Sequence, residues 1–245
     1  MKRIGAGRAI AAIMVCLLAA MIVHFVRIGY LGDDLFTPLR PPAYRAEPGG
    51  TVAILWSGDM GFNVGMGPRV AAKLIDDGVP VVGVNSLNYF RTTRRPIEAT
   101  ALLEHALTQA RLINPQAHIL LIGQSYGADM LHVALAHLPI ADRRAIGMVA
   151  LVVPGATVEY RASPAEIFTF AMAESDALPT ARQLVWTPAL CIYGQEETDS
   201  LCPLLHQPNV RSIALPGGHR LNRDVDAVYG ALHAAMQRAH LLAGR

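Results

Sequence analysis

Charged and aromatic residues are both scarce in this 245-residue chain, and the shortage of charge excludes one class of function. Charged side chains make up 16% of the residues, aromatic ones 6%, and the formal net charge is only +2. A protein that binds nucleic acid electrostatically needs a clustered basic surface, which this balance does not favour. Hydrophobic residues make up 52% of the chain, which is typical of one sizeable domain with a short appendage.

Cysteine is also rare, and its placement bears on the cellular compartment. The chain has 3 cysteines, and only Cys191 and Cys202 lie in its globular part. In an oxidising compartment this pair can form a disulfide that closes a short loop; otherwise the two are buried thiols. The histidines show no ligand spacing with cysteines or carboxylates, so we predict no metal site and no cofactor.

One long hydrophobic run is present, "AIAAIMVCLLAAMIVHFV" at residues 9–26, behind the basic Lys2, Arg3 and Arg8. Its length matches one bilayer crossing, and no small-x-small cleavage site follows it. We therefore predict a membrane anchor at residues 1–27, with a cleaved signal peptide as the alternative, and the rest of the chain outside the cytoplasm. Prolines and glycines at residues 28–50 predict a linker, and residues 51–245 form the predicted domain.

Apolar runs and amphipathic stretches alternate along that domain, which predicts a mostly parallel sheet with helices on both faces. Strands are predicted at residues 51–57, 80–86, 117–123, 146–155, 188–194 and 210–217, and helices at residues 67–78, 96–113, 126–138 and 224–244. We predict a compact version of this fold with little or no cap. Residues 156–187 have no clear pattern and are also compatible with an extra strand and short helices that lie over a site, that is, with a lid.

A serine between two glycines marks the end of the third predicted strand. "GQSYG" at residues 123–127 is a G-x-S-x-G pattern between a strand and a helix, the nucleophile turn of an α/β-hydrolase-like fold. We predict Ser125 as a nucleophile in a strained turn, with the glycines present because side chains would clash there. The amide of Tyr126 would then face an oxyanion.

A serine hydroxyl needs a base and an orienting acid, and this fold provides them later in the chain. His219, in "LPGGHRLN" after the last strand, is the predicted base. The acid is predicted in "GQEETDSLCP", where we favour Asp199 and keep Glu197 as the alternative. The loop after the first strand, "SGDMG", would supply the second oxyanion donor from the amide of Met60 or Asp59.

Five ordered motifs carry a resemblance to a known family: "SGDMGF", "VPVVGVNSLNYF", "LLIGQSYGADMLHVALAHLP", "CIYGQEETDSLCP" and "LPGGH". Together they resemble the VirJ/AcvB family of bacterial virulence-associated α/β-hydrolases over residues 50–243. The chain departs from the family pattern at Met60, Phe62, Asn85 and Gln124, where glycine, tryptophan, aspartate and an aromatic residue are usual. Met60 and Gln124 flank the expected oxyanion hole, so they bear on substrate choice.

The resemblance implies a periplasmic serine hydrolase that cleaves the aminoacyl ester of lysyl-phosphatidylglycerol, and the anchor predicted from the apolar run would hold it at the membrane. It also implies a link to type IV secretion, so a non-catalytic adaptor for secretion substrates is an alternative function, as is a generic carboxylesterase. Ser125, Asp199 and His219 fall on the family's catalytic motifs, and Cys191 and Cys202 on its paired cysteines.

A lysyl lipid would need a carboxylate for its ammonium groups and cations for its phosphate. Asp129 and Asp59 are candidates for the carboxylate, although a structural hydrogen bond is an alternative role for Asp129. The basic loop after the second strand, with Arg91, Arg94 and Arg95, is the candidate for lipid phosphates or is simply solvated.

Overall fold

The computed structural model describes residues 3–32, 34–162 and 174–242. Its main sheet has seven strands in the order β1-β3-β2-β4-β5-β8-β9, and all pairings except that of β1 with β3 are parallel. The strands are β1 (Phe36–Leu39), β2 (Thr51–Trp56), β3 (Val81–Val84), β4 (His118–Gln124), β5 (Ile146–Val152), β6 (Thr157–Glu159), β7 (Glu174–Asp176), β8 (Ala189–Gly194) and β9 (Val210–Leu215). The six predicted strands are all present, and the predicted parallel α/β fold is confirmed.

Helices cover both faces of the sheet, as the apolar strands require. They are α1 (Arg3–Arg27), α2 (Gly67–Asp76), α3 (Ser86–Tyr89), α4 (Pro96–Ile113), α5 (Tyr126–His137), α6 (Ile140–Arg143), α7 (Leu178–Ala181) and α8 (Val225–Arg238). Alternate residues of β2 belong to two separate cores: Ile54 packs with residues of α4 and α5, and Leu55 with residues of α2 and α8. This alternation is the period of two of a strand buried on both faces.

The region without a clear pattern holds a small antiparallel sheet of β6 and β7, followed by α7. Thr157 pairs with Asp176 and Glu159 with Glu174 in this sheet. The possible lid at residues 156–187 lies partly outside the described residues, since residues 163–173 are not among them.

The N-terminal apolar run forms α1, in which residues 7–27 are long and apolar enough to cross a membrane, with none of the most apolar window buried. The prediction of a linker at residues 28–50 is wrong in two places. Phe36–Leu39 pair with β3 as an edge strand, where Pro38 is tolerated because edge strands need fewer backbone donors. Ile28 is only 1% exposed, packed in the core cluster that contains α4 and α5.

Short polar side chains fix the segment that follows α1, which we call the anchor junction (residues 27–32). The amide of Asn85 donates to the carbonyl of Gly29 at 3.2 Å, and that of Asn63 donates to the carbonyl of Arg27 at 3.2 Å. The amide of Asn88 donates to the same Gly29 carbonyl at 3.2 Å. An aspartate at position 85 could not donate this bond when ionised, so the asparagine here has a structural reason.

The packing of Ile28 predicts that the anchor junction stabilises the domain. Ile28→Ala should lower the free energy of unfolding by about 2–4 kcal/mol because it leaves a cavity in the core. The matched control is Leu31→Ala, which removes a side chain that is 53% exposed and should change the stability by less than about 0.5 kcal/mol. Urea unfolding of the full chain in detergent, followed by tryptophan fluorescence, measures both. Equal stability of the two variants would contradict the docking.

Candidate active site

Ser125 occupies a sharp turn between β4 and α5. Its backbone has φ 51° and ψ −127°, a sparsely populated conformation that costs about 1–3 kcal/mol and that clusters at functional sites. The turn is held by two backbone bonds at the ends of the serine: its N–H donates to Val152 at 2.8 Å, and its carbonyl accepts from Ala128 at 2.7 Å. The predicted strained turn is therefore present.

The two flanking glycines are required by close backbone contacts. A Cβ on Gly127 would lie 2.3 Å from the carbonyl oxygen of Ser57 and 2.6 Å from that of Trp56. A Cβ on Gly123 would lie 2.5 Å from the Cα of Ala128. Since real Cβ atoms do not approach backbone this closely, any side chain at either position would displace the turn.

Three side chains form a continuous hydrogen-bonded series at this edge of the sheet. The Ser125 Oγ lies 2.7 Å from the His219 Nε2, and the His219 Nδ1 lies 2.5 Å from the Glu197 Oε1. This is the arrangement of a nucleophile, a base and an orienting acid. The three residues come from segments after β4, β8 and β9, whose carboxyl ends meet here because the strands are parallel.

The structure corrects the prediction of Asp199 as the favoured acid. Among the described residues, the carboxylate in contact with His219 is that of Glu197, whose side chain is 7% exposed, whereas Asp199 is exposed to solvent. The second oxygen of Glu197 accepts from the Gly194 N–H at 3.3 Å, so the turn directly after β8 directs this carboxylate inward. The alternative acid of the sequence prediction thus occupies the place next to the base.

The loop that carries Glu197 and the loop that carries His219 are in contact where they leave the sheet. A Cβ on Gly194 would lie 2.4 Å from the carbonyl oxygens of Gly217 and Gly218, so the two loops pack backbone to backbone. The Glu196 N–H donates to the Gly217 carbonyl at 3.1 Å. A disulfide between Cys191 and Cys202, with Cα atoms 5.5 Å apart, closes the acid loop, which confirms the pairing that the sequence left open.

The predicted oxyanion loop lies against the nucleophile. A Cβ on Gly58 would lie 3.5 Å from the Ser125 Cβ, and the loop turns back through a bond from the Gly61 N–H to the Gly58 carbonyl. Asp59 and Met60, the two candidate donors, are half-buried beside it. Tyr126 is the first residue of α5, so its N–H has no acceptor within the helix and remains available at this end.

Two cavities open beside Ser125 and His219. The first, which we call the acidic cavity, has a volume of about 660 Å³. Among the described residues, its ionisable lining consists of Tyr126, His219, one arginine and six carboxylate residues: Arg161, Asp59, Asp129, Glu159, Glu196, Glu197 and Asp199. The second, the arginine cavity, has a volume of about 760 Å³ and includes Met60 and Gln124 among its lining residues. Sequence reasoning missed Glu159 and Arg161, because no motif marks them, and it considered Glu196 only as one of the carboxylates in the acid loop.

Asp129 combines the two roles that the sequence left open. It lines the acidic cavity, and its Oδ1 accepts from the Gly155 N–H at 2.9 Å. Burial raises the pKa of Asp129 well above its usual range, against the opposing effect of the Gly155 bond, and the negative charges of Glu159, Glu197 and Asp199 raise it further. A cation in this cavity would favour the ionised carboxylate.

The prediction that Arg91, Arg94 and Arg95 meet lipid phosphates is not supported, because neither cavity includes them. Arg91 donates to the Tyr30 carbonyl at 3.1 Å and so belongs to the anchor junction. Arg94 and Arg95 both pair with Glu98, at 3.2 and 3.1 Å, at the start of α4. These arginines are engaged in structural contacts.

Comparison with a family model decides the relationship. The model described as bacterial virulence protein (VirJ) matches residues 50–240. The chain belongs to the VirJ family. The resemblance inferred from five motifs is thereby confirmed, and the matched region contains the serine, the acid loop and the histidine. No curated protein sequence matches the chain significantly.

Solved structures similar to this VirJ-family chain share its fold at low identity. Est1E from Butyrivibrio proteoclasticus has a TM-score of 0.60 at 11% identity, covering 84% of this chain and 93% of Est1E. An α/β serine hydrolase without lid from Xanthomonas campestris has a TM-score of 0.56 at 18% identity, covering 86% of this chain and 90% of its own. A cold-adapted esterase from an Arctic intertidal metagenomic library scores 0.58 at 13% identity, covering 85% and 88%. These likenesses establish the α/β-hydrolase fold.

The geometry predicts which acid activates Ser125. Glu197→Gln should slow labelling of Ser125 by a fluorophosphonate probe by about 10³–10⁴-fold, because the histidine loses its orienting carboxylate. Asp199→Asn should change the labelling rate by less than about threefold. Rates of probe incorporation into the full chain measure both, and Ser125→Ala gives the background. A larger loss in Asp199→Asn than in Glu197→Gln would contradict the assignment.

Proposed function

We propose that this chain is a serine hydrolase that cleaves a carboxylic ester with a cationic acyl group, specifically the aminoacyl ester of lysyl-phosphatidylglycerol. The observation that carries this proposal is the bonded series of Ser125, His219 and Glu197 at the mouth of a cavity in which carboxylates outnumber basic side chains among the described lining residues. The series supports nucleophilic attack on a carbonyl, and the cavity supports the positive charge of the acyl group.

In the first half of the reaction, Ser125 attacks the ester carbonyl while the His219 Nε2 takes the hydroxyl proton. The Glu197 carboxylate holds the ring through Nδ1 and stabilises the imidazolium. The amides of Tyr126 and Met60 stabilise the negative carbonyl oxygen of the tetrahedral intermediate. The C–O bond to the alcohol then breaks, His219 returns the proton to the leaving oxygen, and the aminoacyl group remains on Ser125.

In the second half, water replaces the alcohol. His219 takes a proton from the water, whose oxygen attacks the acyl carbon, and the tetrahedral intermediate collapses with release of the amino acid. The proton on His219 returns to the Ser125 Oγ, which restores the enzyme. Water reaches this position easily, because the His219 side chain is 50% exposed.

Electrostatics favour a lysyl group over an uncharged acyl group. Six carboxylate residues and one arginine line the acidic cavity, so a cation entering it gains attraction from several sides. Burial is the main cause of the raised pKa of Asp129, and the carboxylates of Glu159, Glu197 and Asp199 raise it further, so these three neighbours contribute an excess of negative charge. Two ammonium groups on a lysyl ester would offset this excess.

The N-terminal helix and the disulfide support the place of action. A mostly apolar helical segment of 21 residues would hold the domain at a membrane, and this would raise the local concentration of a lipid substrate. A disulfide at Cys191 and Cys202 is stable in oxidising compartments such as the periplasm. We therefore propose action on the periplasmic side of the bacterial inner membrane.

Lysine release from vesicles tests the proposed substrate. The full chain, reconstituted with vesicles that contain lysyl-phosphatidylglycerol, should release free lysine, and Ser125→Ala should release at least about 10³-fold less because the nucleophile is lost. Mass spectrometry of the soluble fraction measures the lysine. Vesicles of unmodified phosphatidylglycerol provide the background.

Two other outcomes of this experiment would indicate a different function. If no lysine is released but a fluorophosphonate labels Ser125, the protein is a carboxylesterase with a different substrate. If neither occurs, the catalytic proposal fails, and a non-catalytic adaptor for secretion substrates becomes the better interpretation.

The acidic cavity predicts a preference that small esters reveal. The full chain should cleave the ethyl ester of lysine with a kcat/KM at least about tenfold above that of the norleucine ester, which lacks the ε-ammonium. Removing two exposed carboxylates in Glu196→Gln/Asp199→Asn should reduce this preference by about three- to tenfold, since each exposed charge contributes a modest attraction. A preference that survives intact would show that these carboxylates do not face the acyl group.

A further inference from the structure

The arginine cavity adjoins the same two catalytic side chains as the acidic cavity but has the opposite charge. Both cavities share Asp59, Ser125 and His219 in their walls. Among the lining residues of the arginine cavity that the structure describes, Asp59 is the one carboxylate residue, and it is joined there by Arg69, Arg220 and Arg223. An ester bound across Ser125 would therefore have a negative environment at one end and a positive one at the other.

Two of these arginines form no ion pair with a carboxylate in the described part of the chain. Arg220 and Arg223 are exposed and form none of the ion pairs found among the described residues. In contrast, Arg94, Arg95 and Arg111 each pair with a carboxylate at 3.2 Å or less. Guanidinium groups that face a cavity without a partner are suited to bind an anion, and phosphate is the anion that their fork geometry matches best.

The backbone that carries these arginines is strained and rigidly tied to the catalytic histidine. Leu221, Asn222 and Arg223 have φ values of 47°, 50° and 59°, a run of left-handed residues without glycine. Leu221 anchors the run, because its side chain is 1% exposed and its N–H donates to the Gly218 carbonyl at 2.8 Å. Strain of this kind persists only where packing enforces it and is typical of ligand sites.

The wall of the arginine cavity also touches the end of the membrane helix. Gly61 lines this cavity, and a Cβ on Gly61 would lie 2.4 Å from the carbonyl oxygen of Ile28, one residue after α1 ends. If α1 crosses the bilayer as proposed, this side of the site is the one nearest to the lipid headgroups. Apolar side chains of Val64, Met66 and Val153 complete the wall, as a lipid alcohol requires.

We propose that the arginine cavity binds the phosphodiester of the leaving alcohol through Arg220 and Arg223, with Arg69 adding charge at the rim. This inference rests on the proposed function and deepens it: the two cavities fix the direction of the ester, with the cationic acyl group in the acidic cavity and the anionic lipid headgroup in the arginine cavity. The alcohol is thus selected as an anionic phospholipid rather than a neutral one.

Two substrates that differ only at the phosphodiester test this inference. The full chain in detergent micelles is given lysyl-phosphatidylglycerol or the methyl phosphotriester of the same lipid, which keeps the acyl group, the headgroup glycerol and the chains and lacks the negative charge of the phosphodiester. The readout is the ratio of the two kcat/KM values. Arg220→Gln and Arg223→Gln should each lower this ratio by about tenfold, because each removes a charge-assisted bond, and the double variant should lower it further.

Arg211→Gln is the matched control. Arg211 is an exposed arginine near the amino end of β9, the end opposite to the site, so its removal makes the same charge change without touching the cavity. The ratio should remain within about twofold of the wild type in this control. Equal losses on both substrates in the cavity variants, or an unchanged ratio, would overturn the phosphodiester site.

A second measurement separates failure of this site from failure of the proposed substrate. Phosphatidylglycerol added to the micelles should slow fluorophosphonate labelling of Ser125 in the wild type and in Arg211→Gln, and should slow it much less in Arg220→Gln/Arg223→Gln. This result supports the phosphodiester site even if no lysine is released. Absence of protection in the wild type would overturn it even if lysine is released. Equal protection by inorganic phosphate at the same concentration would identify a free-anion site and overturn the assignment to a lipid headgroup.

Discussion

The close contact of α5 with the end of β2 is the constraint on which the rest of the site depends. Gly127 lies so near to the carbonyls of Trp56 and Ser57 that no side chain fits between them. This contact sets the left-handed turn at Ser125 and, at the same time, the start of the loop that passes Gly58 against the nucleophile. The nucleophile and the oxyanion loop are therefore positioned by one piece of packing, since β2 and β4 are neighbouring parallel strands.

Charge is divided across the nucleophile, and this division gives the site a direction. Carboxylates from α5, from β6 and from the loops after β2 and β8 line one side, and arginines from α2 and the loop after β9 line the other. Each group combines residues from distant segments of the chain, and the carboxyl ends of the parallel strands bring these segments together at one edge of the sheet. A molecule that is positive at its acyl end and negative at its alcohol end matches both cavities in a single orientation. An uncharged ester has no such preferred orientation.

The strands and the nucleophile were predictable because both depend on local pattern. Continuous apolar runs gave six strands within a few residues, and G-x-S-x-G identified the turn at Ser125 together with the reason for its glycines. The acid was not predictable, because Glu197 and Asp199 lie two residues apart in one loop, and only the path of the turn after Gly194 decides which carboxylate faces His219. The cavities depend on residues from distant segments, which no local pattern links.

The N-terminal segment shows a different limit of sequence reasoning. Composition alone indicated a linker, since proline and glycine are frequent at residues 28–50 and only a short strand is present. Contacts with other parts of the chain nevertheless order this segment. Strand β1 pairs with the edge of β3, and the amides of Asn85 and Asn88 donate hydrogen bonds to the carbonyl of Gly29.

The pairing of β1 with β3 has a practical consequence for the boundaries of any isolated catalytic fragment. A fragment that starts at the first strand of the predicted domain, near residue 51, would leave the fully buried Val81–Val84 strand as an open edge. Such an edge offers unpaired backbone groups to other molecules and promotes self-association. The smallest autonomous unit of this protein therefore begins at the end of its apolar helix and not at the start of its hydrolase domain.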